Sequence, residues 1–292
     1  MRHGPIVLSR ARVASYVALA MLAFAGNSLL CRLALRDTAT DAASFTSIRL
    51  VSGAIALWCI VRLRERGRTG ARAQRSGDWR SAFALFVYAA GFSFAYESLT
   101  AATGALLLFG AVQTTMIAWN SAHGEKMRPA QWFGLLIAFA GLIGLLLPGI
   151  ATPPAGAAAL MLAAGVAWGA YSLRGKTTGD PTAVTAGNFL RAVPFAIALS
   201  IVMMPRISID AAGIAYALAS GALTSGIGYA IWYAALPSLR AATAATIQLS
   251  VPVIAALGGV ALLGETLSLR LILASVAILG GIALVIRSKQ SA

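Results

Sequence analysis

Seven side chains that can hydrogen-bond or carry charge lie in long apolar runs: Asn27, Arg49, Glu97, Gln113, Asn188, Arg191 and Gln248. A polar group in lipid is costly, so such groups face a cavity or a neighbouring helix. A guanidinium fork matches a carboxylate, which makes Arg49 and Arg191 candidates to grip an acidic group. The same side chains can instead bond helix-end carbonyls or snorkel toward an interface. Aromatic rings form a second set. Tyr88, Phe92 and Tyr96 are spaced by four, Tyr229, Trp232 and Tyr233 by three and four, and Trp168 and Tyr171 by three. Each spacing puts its rings on one helical face. Such rings suit the wall of a pocket for an apolar or aromatic ligand or for an ammonium group, and equally an interfacial aromatic belt. Trp58, Trp79 and Trp132, near the ends of apolar runs, fit the belt. Catalytic chemistry has little to work with. His3 and His123 stand apart from any metal-ligand partner, no phosphate-binding loop occurs, and no catalytic residue, metal or cofactor is expected. An integral membrane enzyme would need convergent His, Asp, Cys or Ser groups, so that reading is remote.

The elements that must position these residues follow from composition. The chain has 292 residues, 59% hydrophobic and 11% charged, with mean hydropathy +0.81. A soluble chain carries roughly a quarter charged residues, and disorder needs low hydrophobicity. The net charge of +14 would fit nucleic acid on a soluble basic face, but little soluble surface is available, so no nucleic-acid partner is expected. What remains is an all-α polytopic membrane protein in contact with lipid. A spanning helix needs about 20 apolar residues, and ten candidates appear, near 13–35, 42–63, 79–97, 100–120, 130–148, 155–175, 182–203, 210–233, 241–263 and 267–287. The first run continues past Ala18-Leu19-Ala20 to Leu30, beyond the 7–15-residue core of a signal peptide. It therefore reads as a retained span. Cys31 and Cys59 fall in spans and read as packing residues rather than a disulfide.

Charge placement orients the spans. With ten spans and a cytoplasmic N-terminus, the non-cytoplasmic segments hold only Arg32, Arg36, Arg206 and Arg270 of the 23 Lys and Arg. Most of the remainder, led by the run from Arg62 to Arg80, lies on cytoplasmic loops, as the positive-inside rule requires. Both termini then lie in the cytoplasm.

The chain also repeats itself. Arg49-Leu50-Val51 followed by Ala54-Ile55-Ala56-Leu57 matches Arg191-Ala192-Val193 followed by Ala196-Ile197-Ala198-Leu199. Gly91-Phe92 matches Gly228-Tyr229, Tyr96 matches Tyr233, Ala101-Ala102-Thr103 matches Ala241-Ala242-Thr243, and Gly124-Glu125 matches Gly264-Glu265. Two five-span halves, 1–150 and 151–292, result. An odd span count inverts the second half, which is a frequent transporter architecture with its site near the midplane. Arg49 and Arg191 are repeat-equivalent, and that symmetry favours a structural role, because a substrate need not be symmetric. Glu125 and Glu265 are expected to cap the fifth and tenth spans through the helix dipole. Pro252 stands where the first half has Val112, so the fourth span should be straighter than the ninth. Glu97 is the only acidic side chain that falls within a span, and both histidines lie outside, so no proton relay is expected and movement down a gradient is favoured. The small-residue spacing Gly165–Gly169 allows close helix approach.

The five-span repeat has Arg in its second span and a Gly-Glu pair before its fifth. With Trp168-Gly169, Pro252, Gly264-Glu265-Thr266-Leu267 and Gly280-Gly281, it resembles the EamA domain of the drug/metabolite transporter superfamily. The chain as a whole looks most like YddG-type amino-acid exporters of bacterial inner membranes. The resemblance implies that spans three, four, six, eight and nine surround a cavity. Tyr88, Phe92, Tyr96, Trp168, Tyr171, Tyr229, Trp232 and Tyr233 would then meet the substrate body, and Asn27, Gln113, Asn188 and Gln248 its polar groups. It implies export of aromatic and other apolar amino acids or similar metabolites by alternating access, with no cofactor and in a single chain as a monomer. Export of quaternary ammonium or other cationic drugs is the alternative.

Overall fold

A computed structural model describes residues 9–65, 77–123, 127–147, 152–174, 180–239 and 241–290. The described residues are helical, with no strand among them. The helices in chain order are α1 (Arg10–Asp37), α2 (Ala42–Glu65), α3 (Trp79–Tyr96), α4 (Ala101–Ala122), α5 (Pro129–Leu146), α6 (Ala155–Arg174) and α7 (Pro181–Val202). They continue with α8 (Ala211–Ala219), α9 (Gly228–Ala235), α10 (Ala241–Gln248), α11 (Ser250–Leu263) and α12 (Leu269–Gln290). A π-helical segment, Ser220–Ile227, joins α8 to α9 without a break. Among the described residues nine helical stretches are long and apolar enough to cross a membrane, with α8 to α9 counted as one and α10 to α11 as another. The eighteen-residue α3 is not among them, since Arg80, two tyrosines and two serines lower its hydropathy.

Starts and stops follow local chemistry. Asp78, Thr100, Asp180 and Asp210 accept hydrogen bonds from first-turn amides of α3, α4, α7 and α8, the usual way to satisfy orphan N–H groups. α4 runs unbroken, whereas the helix carrying Pro252 is interrupted at Leu249. Proline has no N–H to offer the Gln248 carbonyl one turn back. Gly264 ends α11 in the left-handed conformation, φ 62°, which glycine adopts without a Cβ penalty.

Packing joins the halves. α2 lies along α7, α5 along α12 and α4 along α11; α3 packs on α6, and α1 on the stretch from α8 to α9; α4 also meets α6, and α1 meets α11. Exchanging each helix of the first half with its counterpart in the second leaves this scheme unchanged. Gly165 and Gly169 abut α4 at Leu108, Ala111, Val112 and Thr115. The outer surface carries large apolar side chains, among them Leu19, Ile55, Leu136, Phe139, Leu257 and Val276, and the exposed rings of Trp58, Trp79 and Trp132. A soluble monomer would not expose so much apolar area. Cys31 is buried, Cys59 is exposed, and both thiols are free.

Hydrogen bonds clasp both ends of the bundle. At one, Arg64 donates to Thr182 at 3.2 Å, Arg174 pairs with Asp78 at 3.0 Å, and the Asp78 amide donates to Asn188 at 2.9 Å. At the other, Asp41 accepts from the amides of Ala43, Ser44 and Ser208, and Asp210 from the Gly213 and Ala39 amides and the Thr40 hydroxyl. Burial pushes Asp41 up, but these amide donors outweigh it and hold it below the ordinary aspartate range. Asp210 is lowered mainly by the Gly213 and Ala39 amides. A depressed carboxylate contributes stability that is fully present above the unfolded value, about 3.9, and lost as pH falls through the folded one. Thermal stability in detergent is therefore expected to be insensitive to these groups from neutral pH to about 4 and to fall below that. Asp41→Asn should show a smaller acid-induced drop; an unchanged drop would remove Asp41 from the account.

Candidate functional site

A small cavity lies midway along the bundle, lined by Phe24, Asn27 and Ser28 of α1, Tyr88 and Phe92 of α3, Leu108 and Phe109 of α4, and Trp168 of α6. Thr224 and Ser225 of the π segment, Tyr229 of α9 and Gln248 of α10 complete it. Its volume is about 20 Å³, room for roughly one water molecule. Trp168 is its centre: the indole lies 4.7 Å from Tyr88, 5.2 Å from Tyr229 and 5.2 Å from Tyr171, centroid to centroid. Phe92 links Tyr88 to Tyr96, and Phe24 links Tyr229 to Trp232. A larger cleft, about 1050 Å³, opens between the first half of α1 and the α9–α11 region. It is lined almost wholly by apolar side chains and has the character of a membrane-side crevice.

Polar groups behind the rings are tightly arranged. Asn27 accepts from Ser220 at 2.6 Å and donates to the Tyr88 hydroxyl at 3.3 Å. Arg49 is 1% exposed. Its Nη2 donates to Tyr88 at 2.9 Å and its Nε to Ser225 at 3.3 Å, while Nη1 has no partner among the described residues. Its guanidinium carbon lies 5.1 Å and 4.9 Å from the Tyr88 and Phe92 ring centres. Arg191, its repeat counterpart, is half-buried and donates to the Gly187 carbonyl on its own helix at 3.0 Å. The two arginines thus make different hydrogen bonds, one to groups beside the cavity and the other to its own helix.

Of the sequence-derived site residues, Asn27, Tyr88, Phe92, Trp168, Tyr229 and Gln248 line the cavity. The others lie outside its lining. Tyr96 donates to the Ala101 carbonyl, and Gln113 donates to Ala245 at 3.4 Å, tying α4 to α10. Tyr171 bonds Thr185 and Asn188, while Trp232 packs on Phe24. Tyr233 is half-buried outside the lining. Glu125 lies outside the described residues. Glu265 caps a different helix from the one expected: both its oxygens accept from the Ala101 amide, at 3.2 and 2.9 Å, at the start of α4. Ser268 serves α12 instead. Glu265 also pairs with Arg32 at 3.4 Å, and Arg32 reaches the Tyr96 and Glu97 carbonyls. Glu97 is exposed just beyond α3. Sequence reasoning overlooked Phe24, Thr224 and Ser225. The signal for the last two was a Ser/Thr/Gly cluster, Ser220 to Gly226, inside an apolar run; such a cluster accompanies the π-helical turn, a form frequent at functional sites.

Residues 12–147 and 155–287 each match the EamA-like transporter family. The chain belongs to that family. It is accordingly a multi-pass membrane transporter with two EamA repeats, and the family's members are transporters rather than enzymes. An uncharacterized protein of Pseudomonas aeruginosa, PA1977, is 58% identical over 268 residues, 92% of each chain. A solved crystal structure superposes with TM-score 0.66 at 19% identity, covering 95% of this chain and 98% of the other, a likeness of fold.

Proposed function

We propose that this EamA transporter exports small metabolites, foremost aromatic and other apolar amino acids, across a bacterial inner membrane by alternating access through the central cavity. The observation that carries the reading is the cavity itself: rings from both halves converge on Trp168 and leave room for about one water. Cargo enters when the rings part, and polar clasps close the bundle at each end. Alternating access would break one clasp at a time.

In this reading α3 is the tenth span, and the halves 1–150 and 151–292 are inverted repeats. Two features support it: the packing scheme survives exchange of the halves, and the clasps group alternate loops at opposite ends. The positive-inside bias puts both termini in the cytoplasm, and with both halves in one chain a monomer suffices. The aromatic lining also favours likeness to YddG-type amino-acid exporters.

The test is flux into proteoliposomes of purified protein, using a panel of labelled amino acids in competition with tetraalkylammonium ions. Saturable movement of aromatic and branched amino acids, weakly inhibited by the cations, is expected. Movement of the cations with no amino-acid flux would establish the alternative cargo, and no movement of either would overturn the reading.

A further inference from the structure

Two donors behind the cavity converge on the Tyr88 hydroxyl. Ser220 donates to the Asn27 oxygen at 2.6 Å, and the Asn27 amide nitrogen donates to Tyr88 at 3.3 Å. Arg49 Nη2 donates to the same Tyr88 oxygen at 2.9 Å. A phenolic oxygen accepts two hydrogen bonds and has one proton to give. Both accepting positions of Tyr88 are filled, so its proton remains for a third group, and Tyr88 lines the cavity. Arg49 polarises that hydroxyl and keeps Nη1 unpartnered among the described residues at 1% exposure.

No carboxylate among the described residues pairs with Arg49. Asp41, Asp78, Asp180 and Asp210 stand at helix starts, and Glu265 is engaged by α4 and Arg32. A buried charge lacking a counter-ion is strongly unfavourable, and the rings over Arg49 compensate weakly. An anion entering the cavity beside Tyr88 would supply that counter-ion. Phe24, Trp168 and Tyr229 would meet an apolar body beside it.

We propose that Tyr88 on the cavity wall, with Arg49 directly behind it, forms an anion subsite that takes the carboxylate of the cargo, so that a carboxylate beside an apolar body is required for passage. This rests on reading the cavity as the transport site. It assigns the two repeat-equivalent arginines different tasks and sets the protein against cations that lack an acidic group, since Arg49 would repel them.

The experiment compares phenylalanine with phenylethylamine and 3-phenylpropionate, which lack the carboxylate and the amine respectively, in proteoliposomes of the full chain. Wild type is expected to move both carboxylates at least about tenfold faster than phenylethylamine, the scale of a hydrogen bond to a charged group. Tyr88→Phe keeps the ring beside Trp168 and should reduce carboxylate flux about tenfold; Arg49→Gln should abolish the preference. If Arg49→Gln does not fold, the wild-type ratio and Tyr88→Phe still decide. Equal movement of all three compounds by wild type would overturn the subsite and leave the transport reading standing. A preference unaltered by Tyr88→Phe would overturn the assignment to Tyr88. Failure of wild type to move any of the three would overturn the transport reading, and the inference with it.

Discussion

Replacing Glu265 by alanine is expected to cost about 3–5 kcal/mol of stability, the scale for removing one partner of a buried pair. The carboxylate is 5% exposed and Arg32 12%. Its loss removes the counter-ion of Arg32, which keeps only the Tyr96 and Glu97 carbonyls, and leaves the Ala101 amide, at the start of α4, without its acceptor. Three helices, α1, α4 and α11, are held at that one point. Glu265→Gln should be milder, because its amide oxygen can still accept from Ala101 and the volume is kept. A double variant, Arg32→Met with Glu265→Met, should recover much of the loss, since no charge is then stranded. Thermal unfolding in detergent reads all three. Alanine as stable as wild type would show that the clasp contributes nothing.

The second large effect is expected at Gly221. This residue sits in the π segment against α2, where an added Cβ would collide with the Arg49 carbonyl oxygen and the Ser52 hydroxyl. The carbonyl belongs to a helix backbone and cannot swing away. Gly221→Val should therefore push α2 and the π segment apart, and with them the Arg49–Ser225 contact. Overpacking typically costs 1–3 kcal/mol and occasionally more; a clash with backbone belongs at the upper end. The expected outcome is poorly folded protein or, where folded protein is recovered, lost transport. Gly26→Ala, which would meet only the Thr224 methyl at 3.5 Å, is the control and should be tolerated. Normal flux and stability in Gly221→Val would mean that the close approach of these helices is dispensable.

These two sites show what the sequence disclosed and what it withheld. Nine of the ten expected spans were legible because hydropathy is a property of each run alone. Tyr88, Phe92 and Tyr96, spaced by four, all proved buried, and Pro252 marked the interrupted helix. Other features depended on which neighbour a side chain meets. The Gly264-Glu265 pair was visible, but the left-handed turn at Gly264 sends Glu265 across to α4, and nothing in the local sequence names that partner. Arg49 and Arg191 align in the repeat, yet one meets Tyr88 and Ser225 and the other its own helix. Repeat equivalence preserves backbone position, not the chemistry of the facing helix. Gln113 and Asn188 looked like substrate ligands by residue type and are occupied in joining helices. A buried amide is satisfied by whichever partner is nearest.

The central claim is that cargo passes through the aromatic cavity around Trp168, and counterflow of labelled phenylalanine in proteoliposomes, wild type beside Trp168→Leu, tests it most directly. Leucine keeps the site apolar but removes the face that meets Tyr88 and Tyr229, with thermal unfolding confirming that the variant is folded. Clear accumulation by wild type and near-total loss by folded Trp168→Leu are expected. Equal accumulation by the two proteins would contradict it.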